Sequence, residues 1–292
     1  MDEILIKILF GYLNKISREK AVKRGEQLGT FFYRIGYRKS VIKKNLDIAF
    51  PEKDEKWKKS IALESLKNLG RIISELPKLP SYFRSGEIGN IFKIKEGKDI
   101  LHKYKDEGFV LVTAHLGNWE FINIGLSYYG YKMTALAYRQ KNKNINRIIE
   151  DIRTSSGSQI IYHDQPMRKF IEALNSNRIV SFLVDQNTLR HRGVFVDFFG
   201  KKASTVFFPA KVALKYKKPV VFTYCIFNKE TKGYDFFLKE VKTDDLKGKD
   251  IPILVQRYTY EVEKAVRKYP DQYMWTHKRW KTRPEGESEN IY

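Results

Sequence analysis

The stretch Phe109-Val-Leu-Val-Thr-Ala-His115-Leu-Gly-Asn-Trp-Glu120 decides the fold of this 292-residue chain. Its apolar first half predicts a buried strand that carries a histidine at its C-terminal end. The Gly-Asn pair predicts a tight turn, and Asn118 is a suitable N-cap for a helix that runs to about Tyr128. Ligands of α/β proteins gather at such strand ends, so this junction is the first candidate for a functional site.

The separation of His115 and Glu120 suits this junction better than it suits one continuous helix. On a single helix, residues five apart are turned by roughly 500° and point away from each other. Across a strand end and a turn, the two side chains can meet. A carboxylate that meets an imidazole fixes its tautomer and supports its protonated form, as a general base requires. We therefore expect Glu120 to orient His115; the alternative is a core histidine beside a helix-capping carboxylate.

Strand-like and helix-like segments alternate from about residue 91 onward. This pattern predicts the α/β class, with a central mixed, mainly parallel sheet flanked by helices and an N-terminal helical extension. We expect the helical part, residues 1–82, to pack with the core of residues 83–292 as one domain. The predicted strands are 109–114, 133–137, 159–162, 179–184, 220–227 and 234–241. The predicted helices after the helical part are 118–128, 144–155, 167–176, 205–216 and 252–268, and within it the clearest is 55–75.

The composition is strongly basic. Lys and Arg number 55 against 34 Asp and Glu, which gives a net charge of +21, and the pI is about 9.7. Nucleic acid, an anionic membrane or an acidic substrate would all suit this charge, and so would a solvated lysine-rich surface. The single cysteine, Cys225, excludes an internal disulfide and a cysteine-rich metal site.

The N-terminal residues 3–17 place apolar side chains at helical spacing, with several lysines and arginines nearby. They predict a basic amphipathic helix that lies in a membrane interface or packs on the core of the domain. No apolar run reaches the roughly 18 residues that a spanning helix needs.

Polar clusters follow three of the predicted strands. They are His115 with Glu120, the segment that begins Tyr138-Arg139-Gln140, and Asp185-Gln186-Asn187. Because the C-terminal ends of parallel strands share one edge of the sheet, we expect the three clusters to converge.

Five blocks in this order resemble the bacterial late acyltransferases of lipid A biosynthesis (the lauroyl and myristoyl acyltransferases), within the lysophospholipid acyltransferase-like superfamily. The first two are Asn45-Leu-Asp-Ile-Ala-Phe-Pro51 and the hexapeptide from His115 to Glu120. The third joins Asp185-Gln186 to Gly193-Val-Phe-Val-Asp-Phe-Phe-Gly200. The others are Pro219-Val-Val-Phe222 and the long block from Tyr269 to Pro284. The resemblance spans about residues 45–284.

This resemblance implies acyl transfer from acyl carrier protein to a hydroxyl of a lipid A precursor, with His115 as base and Glu120 as its partner. It implies no cofactor and no metal. Arg139, or a backbone amide near Gly117, would stabilise the oxyanion. Asp185 would orient site groups that include Arg139. The full set of implied substrate-binding residues is Asn118, Arg139, Arg153, Asp185, Gln186, Arg190 and Arg192.

Aromatic and basic residues elsewhere have two interpretations. Trp275 and Trp280 with the neighbouring cations 278, 279, 281 and 283 suggest a surface patch for a membrane or a phosphorylated acceptor. His277 is interpreted as structural. Phe195, Phe198 and Phe199 either line an acyl groove or belong to the core.

The expected partners are an acidic acyl carrier protein, an anionic membrane surface and a phosphorylated glycolipid acceptor; no nucleic acid is expected. The family usually begins with a membrane-spanning anchor, and the shorter segment here implies a peripheral or interfacially anchored protein at the cytoplasmic face of the inner membrane. The alternatives are acylation of another glycolipid or a lysophospholipid, and a non-catalytic protein that binds membranes or nucleic acid.

Overall fold

The central sheet is built around the apolar run that ends near His115. The computed structural model describes residues 3–288 and 291–292. The strands are β1 (Phe92–Glu96), β2 (Val110–Gly117), β3 (Met133–Ala137), β4 (Gln159–Tyr162), β5 (Ile179–Leu183), β6 (Gly193–Phe198), β7 (Lys201–Val206), β8 (Val220–Phe227) and β9 (Tyr234–Val241).

Twelve α-helices connect and cover these strands in the described residues. They are α1 (Glu3–Lys15), α2 (Arg18–Arg34), α3 (Lys39–Ala49), α4 (Glu55–Glu75), α5 (Leu79–Ser85), α6 (Ile88–Ile91), α7 (Lys98–Lys103), α8 (Glu120–Tyr128), α9 (Lys143–Thr154), α10 (Met167–Asn175), α11 (Phe208–Tyr216) and α12 (Ile251–Lys268). Short 3₁₀ turns lie at Leu76–Lys78, Arg190–Arg192 and Pro270–Gln272.

Seven strands form the sheet in the order β1–β9–β8–β2–β5–β3–β4. The five from β8 to β4 are mutually parallel, β9 runs antiparallel to β8, and β1 is parallel to β9. The predicted fold class, a mixed and mainly parallel sheet flanked by helices, is confirmed. β2 lies in the middle of the sheet, so its C-terminal end has neighbours on both sides.

Both faces of β2 are covered, which explains its unbroken apolar sequence. Val110 and Val112 belong to a core cluster on one face, and Phe109 and Leu111 to a second cluster on the other. Alternate residues of a strand point to opposite faces, and a strand buried on both faces therefore needs no polar alternation.

Most predicted elements agree with the structure, and the differences have local causes. β1 and the antiparallel hairpin β6–β7 were not predicted. β1 alternates lysine and apolar residues at the edge of the sheet, a weak signal in such a basic chain. Helix α8 begins at Glu120 rather than at Asn118. Helix α11 begins at Phe208 because the hairpin extends to Val206.

Helices α2 and α4 pack closely at glycines. A Cβ atom on Gly29 would lie 2.2 Å from the Leu66 carbonyl oxygen, and one on Gly70 would lie 1.9 Å from the Gly25 carbonyl oxygen. No larger residue fits there without separating the helices. This close contact holds α4 in place, and α4 in turn reaches the end of β2.

Helix α1 has two apolar faces. Ile6 and Leu13 are buried, whereas Ile4, Leu5 and Ile8 are each more than half exposed. The helix is tied down at its C-terminal end, where the ammonium group of Lys78 donates to the carbonyl oxygens of Leu13 and Ile16. None of the helices in residues 3–288 and 291–292 is long and apolar enough to cross a membrane.

Candidate active site

Two neighbouring strands place a histidine opposite a carboxylate. β2 and β5 are parallel and adjacent, and Thr113 is paired with Leu183 in their register. His115 lies two residues further along β2, and Asp185 lies two residues after the last pairing on the β5 side, just beyond the end of that strand. Both side chains therefore leave the sheet on the same face. The Nδ1 atom of His115 lies 2.8 Å from Oδ1 of Asp185.

The charge state of Asp185 follows from this contact. Burial disfavours the ionised carboxylate, but the charge that the His115 ring carries when it is protonated, together with its hydrogen bond, outweighs burial and lowers the pKa of Asp185. An ionised carboxylate can only accept hydrogen bonds, so Nδ1 of His115 carries the proton. In the neutral ring, the other nitrogen, Nε2, is then the one that can accept a proton.

Gln186 lies against that nitrogen. Its amide nitrogen Nε2 is 3.2 Å from Nε2 of His115 and donates to the imidazole lone pair. Gln186 follows Asp185 directly, so the strand end of β5 contacts both nitrogens of the ring. Trp119 packs edge-on against the ring, with centroids 4.7 Å apart.

The expected hydrogen bond between Glu120 and His115 is not formed, so Glu120 does not orient His115 in this way. Among the described residues, Glu120 accepts from Nε of Arg153 at 2.9 Å and from Nε1 of Trp119 at 3.2 Å. Burial opposes the charge of Glu120, but the Arg153 guanidinium outweighs burial and lowers the Glu120 pKa. The contact partner of His115 is Asp185 because β5, not the start of α8, is the neighbour of β2. Arg153, expected to bind substrate, joins α9 to α8.

The turn between β2 and α8 is built from backbone contacts with β8. Gly117 has a φ of +66°, and a Cβ atom there would lie 1.8 Å from the Cys225 carbonyl oxygen. The next amide, that of Asn118, donates to the same oxygen at 2.7 Å. Only glycine combines this left-handed conformation with this close approach.

Asn118 is buried and bonded to protein groups, so the structure gives it a positioning role rather than a substrate contact. Its Oδ1 accepts the backbone N–H of Glu120 at 3.2 Å, which caps α8 from two residues before its start. Its Nδ2 donates to the hydroxyl of Tyr234 at 3.1 Å, and that hydroxyl donates to the buried carboxylate of Glu75. A polar chain thus connects the end of α4 to the turn.

A second residue of α4 holds the turn from the other side. Nδ2 of Asn68 donates to the Gly117 carbonyl oxygen at 2.9 Å and to that of Gln272 at 3.1 Å. The carbonyl oxygen of His115 accepts the amide of Met274 at 2.9 Å. Sequence reasoning missed these supports, because they join positions that are far apart in the chain.

The block from Tyr269 to Pro284 packs inside the protein and supports the site. Nε2 of His277 accepts the backbone N–H of Asn187 at 3.0 Å. Burial lowers the pKa of His277 to about 4, which keeps the ring neutral and able to accept. The Asn187 side chain also exchanges two hydrogen bonds with Thr282, at 3.0 and 2.8 Å. The loop that carries Gln186 is therefore fixed.

Both tryptophans and two of the four cations of the expected surface patch are buried. Trp275, Trp280, Arg279 and Arg283 are all at most 2% exposed. Arg279 donates to the carbonyl oxygen of Ser204 at 2.8 Å, so this block packs behind the β6–β7 hairpin, which the sequence did not predict. Of the aromatic residues in that hairpin region, Phe198 and Phe199 are buried, as the core interpretation required.

Arg139 does not join His115 and Asp185. Its Nε lies 3.3 Å from a carboxylate oxygen of Asp164, and its guanidinium lies 3.7 Å over the ring of Tyr162. Its side chain is half exposed. The expectation that Asp185 orients Arg139 is wrong, because Asp185 is bonded to His115. Arg190 and Arg192 are exposed in the loop after Asn187.

A small cavity of about 60 Å³ lies between α8 and the sheet, beside the Glu120–Arg153 pair. Trp119 and Asn123 border it on the helix side, and small side chains of the sheet, including Ala135 and Ser181, form its floor. It is large enough to hold a few water molecules.

Comparisons with known proteins bear on the whole chain. A family model described as bacterial lipid A biosynthesis acyltransferase matches residues 4–282. The lipid A biosynthesis acyltransferase of Haemophilus influenzae is 25% identical over 266 residues, which cover 89% of this chain and 83% of that protein. The lipid A biosynthesis palmitoleoyltransferase of Escherichia coli K12 is 24% identical over 257 residues, 86% of this chain and 81% of that protein.

A third similar protein has a different named acceptor. The phosphatidylinositol mannoside acyltransferase of Mycobacterium tuberculosis is 28% identical over 178 residues, which cover 59% of this chain and 55% of that protein.

Proposed function

Because the chain belongs to the bacterial lipid A biosynthesis acyltransferase family, it is an acyltransferase, and we propose that it transfers a fatty acyl chain from acyl carrier protein to a hydroxyl of a lipid A precursor. The observation that carries the mechanism is the pair of His115 and Asp185 at the end of the central strands. The pair supplies a general base with a fixed tautomer at the sheet edge where ligands bind.

In the proposed reaction, Nε2 of His115 removes the proton of the acceptor hydroxyl as its oxygen attacks the thioester carbonyl carbon. The tetrahedral intermediate then collapses, the carbon–sulfur bond breaks, and the leaving thiolate takes the proton back from His115. The Asp185 carboxylate stabilises the imidazolium between these two steps. No acyl-enzyme forms, because the base activates the acceptor directly.

We assign the oxyanion to Gln186 in preference to Arg139. The Gln186 amide contacts Nε2 of His115, the atom that the acceptor hydroxyl must reach, so in the proposed reaction the acceptor displaces the amide from this contact. After displacement, its N–H groups remain beside the reacting atoms. Arg139 is turned toward Asp164 and Tyr162 instead. Removing one such donor lowers kcat by about 10²–10³-fold in other enzymes.

We propose that the protein lies on the cytoplasmic face of the inner membrane through α1. The helix buries one apolar face in the domain and exposes Ile4, Leu5, Ile8 and Tyr12 on the other, and this exposed apolar face supports the proposal. The net charge of +21 supports attraction to anionic lipids. Peripheral binding of this kind would bring a lipid acceptor to the site without a spanning helix.

The test is acyl transfer measured by mass spectrometry. Purified protein receives acyl carrier protein loaded with C10 to C16 chains, together with a lipid A precursor, a lysophospholipid and a mannosylated phosphatidylinositol. We expect product on the lipid A precursor with wild-type protein, and a loss of about 10³-fold with His115→Ala.

Two outcomes would contradict parts of this proposal. Product on the mannosylated lipid alone would keep the mechanism and change the acceptor, an alternative that the Mycobacterium tuberculosis relative makes specific. Near-normal turnover by folded His115→Ala protein would refute the assignment of the base.

A further inference from the structure

A groove of about 300 Å³ lies on the N-terminal helices, separate from the site around His115. It is bounded by the C-terminal end of α2, by α3 and by the N-terminal half of α4, and we call it the α2–α4 groove. Its floor is apolar and includes Ile42, Leu46 and Leu66, which are buried. The catalytic mechanism makes no use of it.

The rim of the α2–α4 groove carries cations that lack a compensating charge. Arg34, Lys39 and Lys59 are exposed, and none of them forms an ion pair with a described residue. The two other lysines at the groove are neutralised: Lys43 is paired with Asp47 and Glu55, and Lys58 with Asp47. The groove therefore presents three unpaired positive charges around an apolar floor.

Apolar side chains extend the groove onto the surface. Phe31, Ile35 and Tyr37 are 55%, 60% and 43% exposed at the adjoining end of α2. Exposed apolar side chains that adjoin an apolar groove enlarge the surface that a partner could cover. A groove with an apolar floor and a cationic rim complements an amphipathic helix whose polar face is acidic.

The groove lies apart from helix α1, which we propose contacts the membrane. Helix α1, with its exposed apolar face, is held near the C-terminal end of α4 by Lys78. The groove begins about ten residues earlier in α4, at Leu66, which corresponds to about 15 Å along the helix. The two surfaces therefore lie at different ends of the same helix.

The groove is also linked to the catalytic loop. Helix α3 lines the groove, and its Asn45 donates to the carbonyl oxygens of Trp275 and His277, both at 2.7 Å. His277 in turn accepts the amide of Asn187, next to Gln186. These hydrogen bonds connect the helix that lines the groove to the loop that carries Gln186.

We propose that the α2–α4 groove docks an acidic, amphipathic helix of the acyl carrier protein that delivers the thioester. This inference rests on the proposed function, because it takes the donor to be a carrier protein. The docked helix places one or more apolar side chains on the floor and its carboxylates against Arg34, Lys39 and Lys59. Docking contributes to donor binding and leaves the chemistry at His115 unchanged.

The test compares two donors with the same acyl chain, acyl carrier protein and acyl-pantetheine. In the double variant Lys39→Glu/Lys59→Glu, we expect KM for the acyl carrier protein to rise about tenfold or more at low salt, with kcat within about twofold. KM for acyl-pantetheine should not change. The matched control, Lys211→Glu/Lys215→Glu on α11, also reverses two exposed charges and should leave both KM values unchanged.

Titration calorimetry measures the affinity of the carrier protein directly. It complements the KM values and tests the docking site even if no turnover is detected. An unchanged affinity and an unchanged KM in the double variant would refute the docking site while leaving the proposed function intact. Loss of binding to phosphatidylethanolamine and phosphatidylglycerol vesicles, with carrier binding unchanged, would assign the groove to lipid instead. Turnover of acyl-pantetheine by wild-type protein that neither binds nor uses the carrier protein would refute both the donor and its docking.

Discussion

Two buried carboxylates at the same edge of the sheet differ in the basic side chain that each one contacts. Asp185 contacts His115 at the ends of β2 and β5, whereas Glu120 contacts Arg153 at the junction of α8 and α9. In both cases burial opposes ionisation, and the neighbouring group outweighs it and lowers the pKa. A guanidinium keeps its proton at all working pH values, but an imidazole exchanges one near neutral pH. One pair is therefore suited to proton transfer, and the other holds two helices together.

The substitution Asp185→Asn tests this difference most severely. Asparagine keeps the size of the side chain but cannot stabilise an imidazolium, and its amide can favour the wrong tautomer of His115. We expect kcat to fall by about 10²-fold or more, with a change in KM of less than about threefold. The measurement is steady-state acyl transfer on folded protein.

The matched control is Asp164→Asn, which removes an exposed carboxylate from its contact with Arg139. It should leave kcat within about twofold. If Asp185→Asn behaved like this control, the contact of 2.8 Å would have no catalytic role, and the comparison between the two carboxylates would fail.

The substitution Glu120→Gln should affect stability more than chemistry. It leaves the Arg153 charge without its partner, and we expect a loss of about 2 kcal/mol in the free energy of unfolding. This is below the usual range for broken buried pairs, because the Arg153 side chain is 27% exposed. Urea unfolding at pH 7 measures it, and kcat of the folded fraction should fall less than with Asp185→Asn.

The pH dependence of that loss has a defined sign. The pKa of Glu120 is lower in the folded protein than its ordinary value of 4.5, so its ionisation stabilises the fold above that value. This stabilisation is lost as the pH falls through the folded pKa. The difference in unfolding free energy between wild type and Glu120→Gln should therefore shrink below pH 4.5, and a constant difference would show that the charge is not its cause.

The two carboxylates also show what the sequence could predict. The bounds of β3, β4, β8 and β9 were predicted correctly, because hydrophobic pattern and turn residues are local signals. The partner of His115 was not, because it depends on which strand lies beside β2. Glu120 is five residues from His115 and Asp185 is seventy, and no local pattern states that β5 is the neighbouring strand.

The burial of Trp275 and Trp280 also depends on contacts between positions far apart in the sequence, so it was not predicted. Around Trp280 the alternation of aromatic and basic residues is typical of a surface, and only the packing of this segment behind β6–β7 buries it. Arg279 can be buried because the Ser204 carbonyl oxygen and the Thr205 hydroxyl of the hairpin accept its hydrogen bonds. The sequence does not show these contacts. Local chemistry identified His115 and its turn, but the tertiary contacts assigned the roles.

A third variant, Tyr234→Phe, tests the hydrogen bonds that hold the turn between His115 and Glu120. The Tyr234 hydroxyl joins Glu75 to Asn118, and Asn118 accepts the first amide of α8, that of Glu120. Loss of the hydroxyl should loosen the turn that carries His115 and lower kcat by about tenfold with little change in KM.

Tyr258→Phe is the control for this variant. It removes a buried hydroxyl that donates to the Val206 carbonyl oxygen, away from the turn. Both variants should lose about 1–2 kcal/mol of stability, but only Tyr234→Phe should lose kcat. Equal kcat values in the two variants would show that the hydrogen bonds linking Glu75, Tyr234 and Asn118 stabilise the fold but do not position His115 for catalysis.

The smallest effect is expected at Arg139, where the same substitution can be compared at two arginines. Arg139→Lys exchanges an exposed contact with Asp164 and should change kcat and stability by less than about twofold and 0.5 kcal/mol, because exposed pairs contribute little. Arg153→Lys replaces a guanidinium that bonds both oxygens of Glu120, and a lysine cannot reproduce that geometry. It should destabilise the protein by about 1–2 kcal/mol. A larger loss of activity at Arg139 than at Arg153 would mean that Arg139 moves to the substrate during the reaction, and the oxyanion would then belong to Arg139 rather than to Gln186.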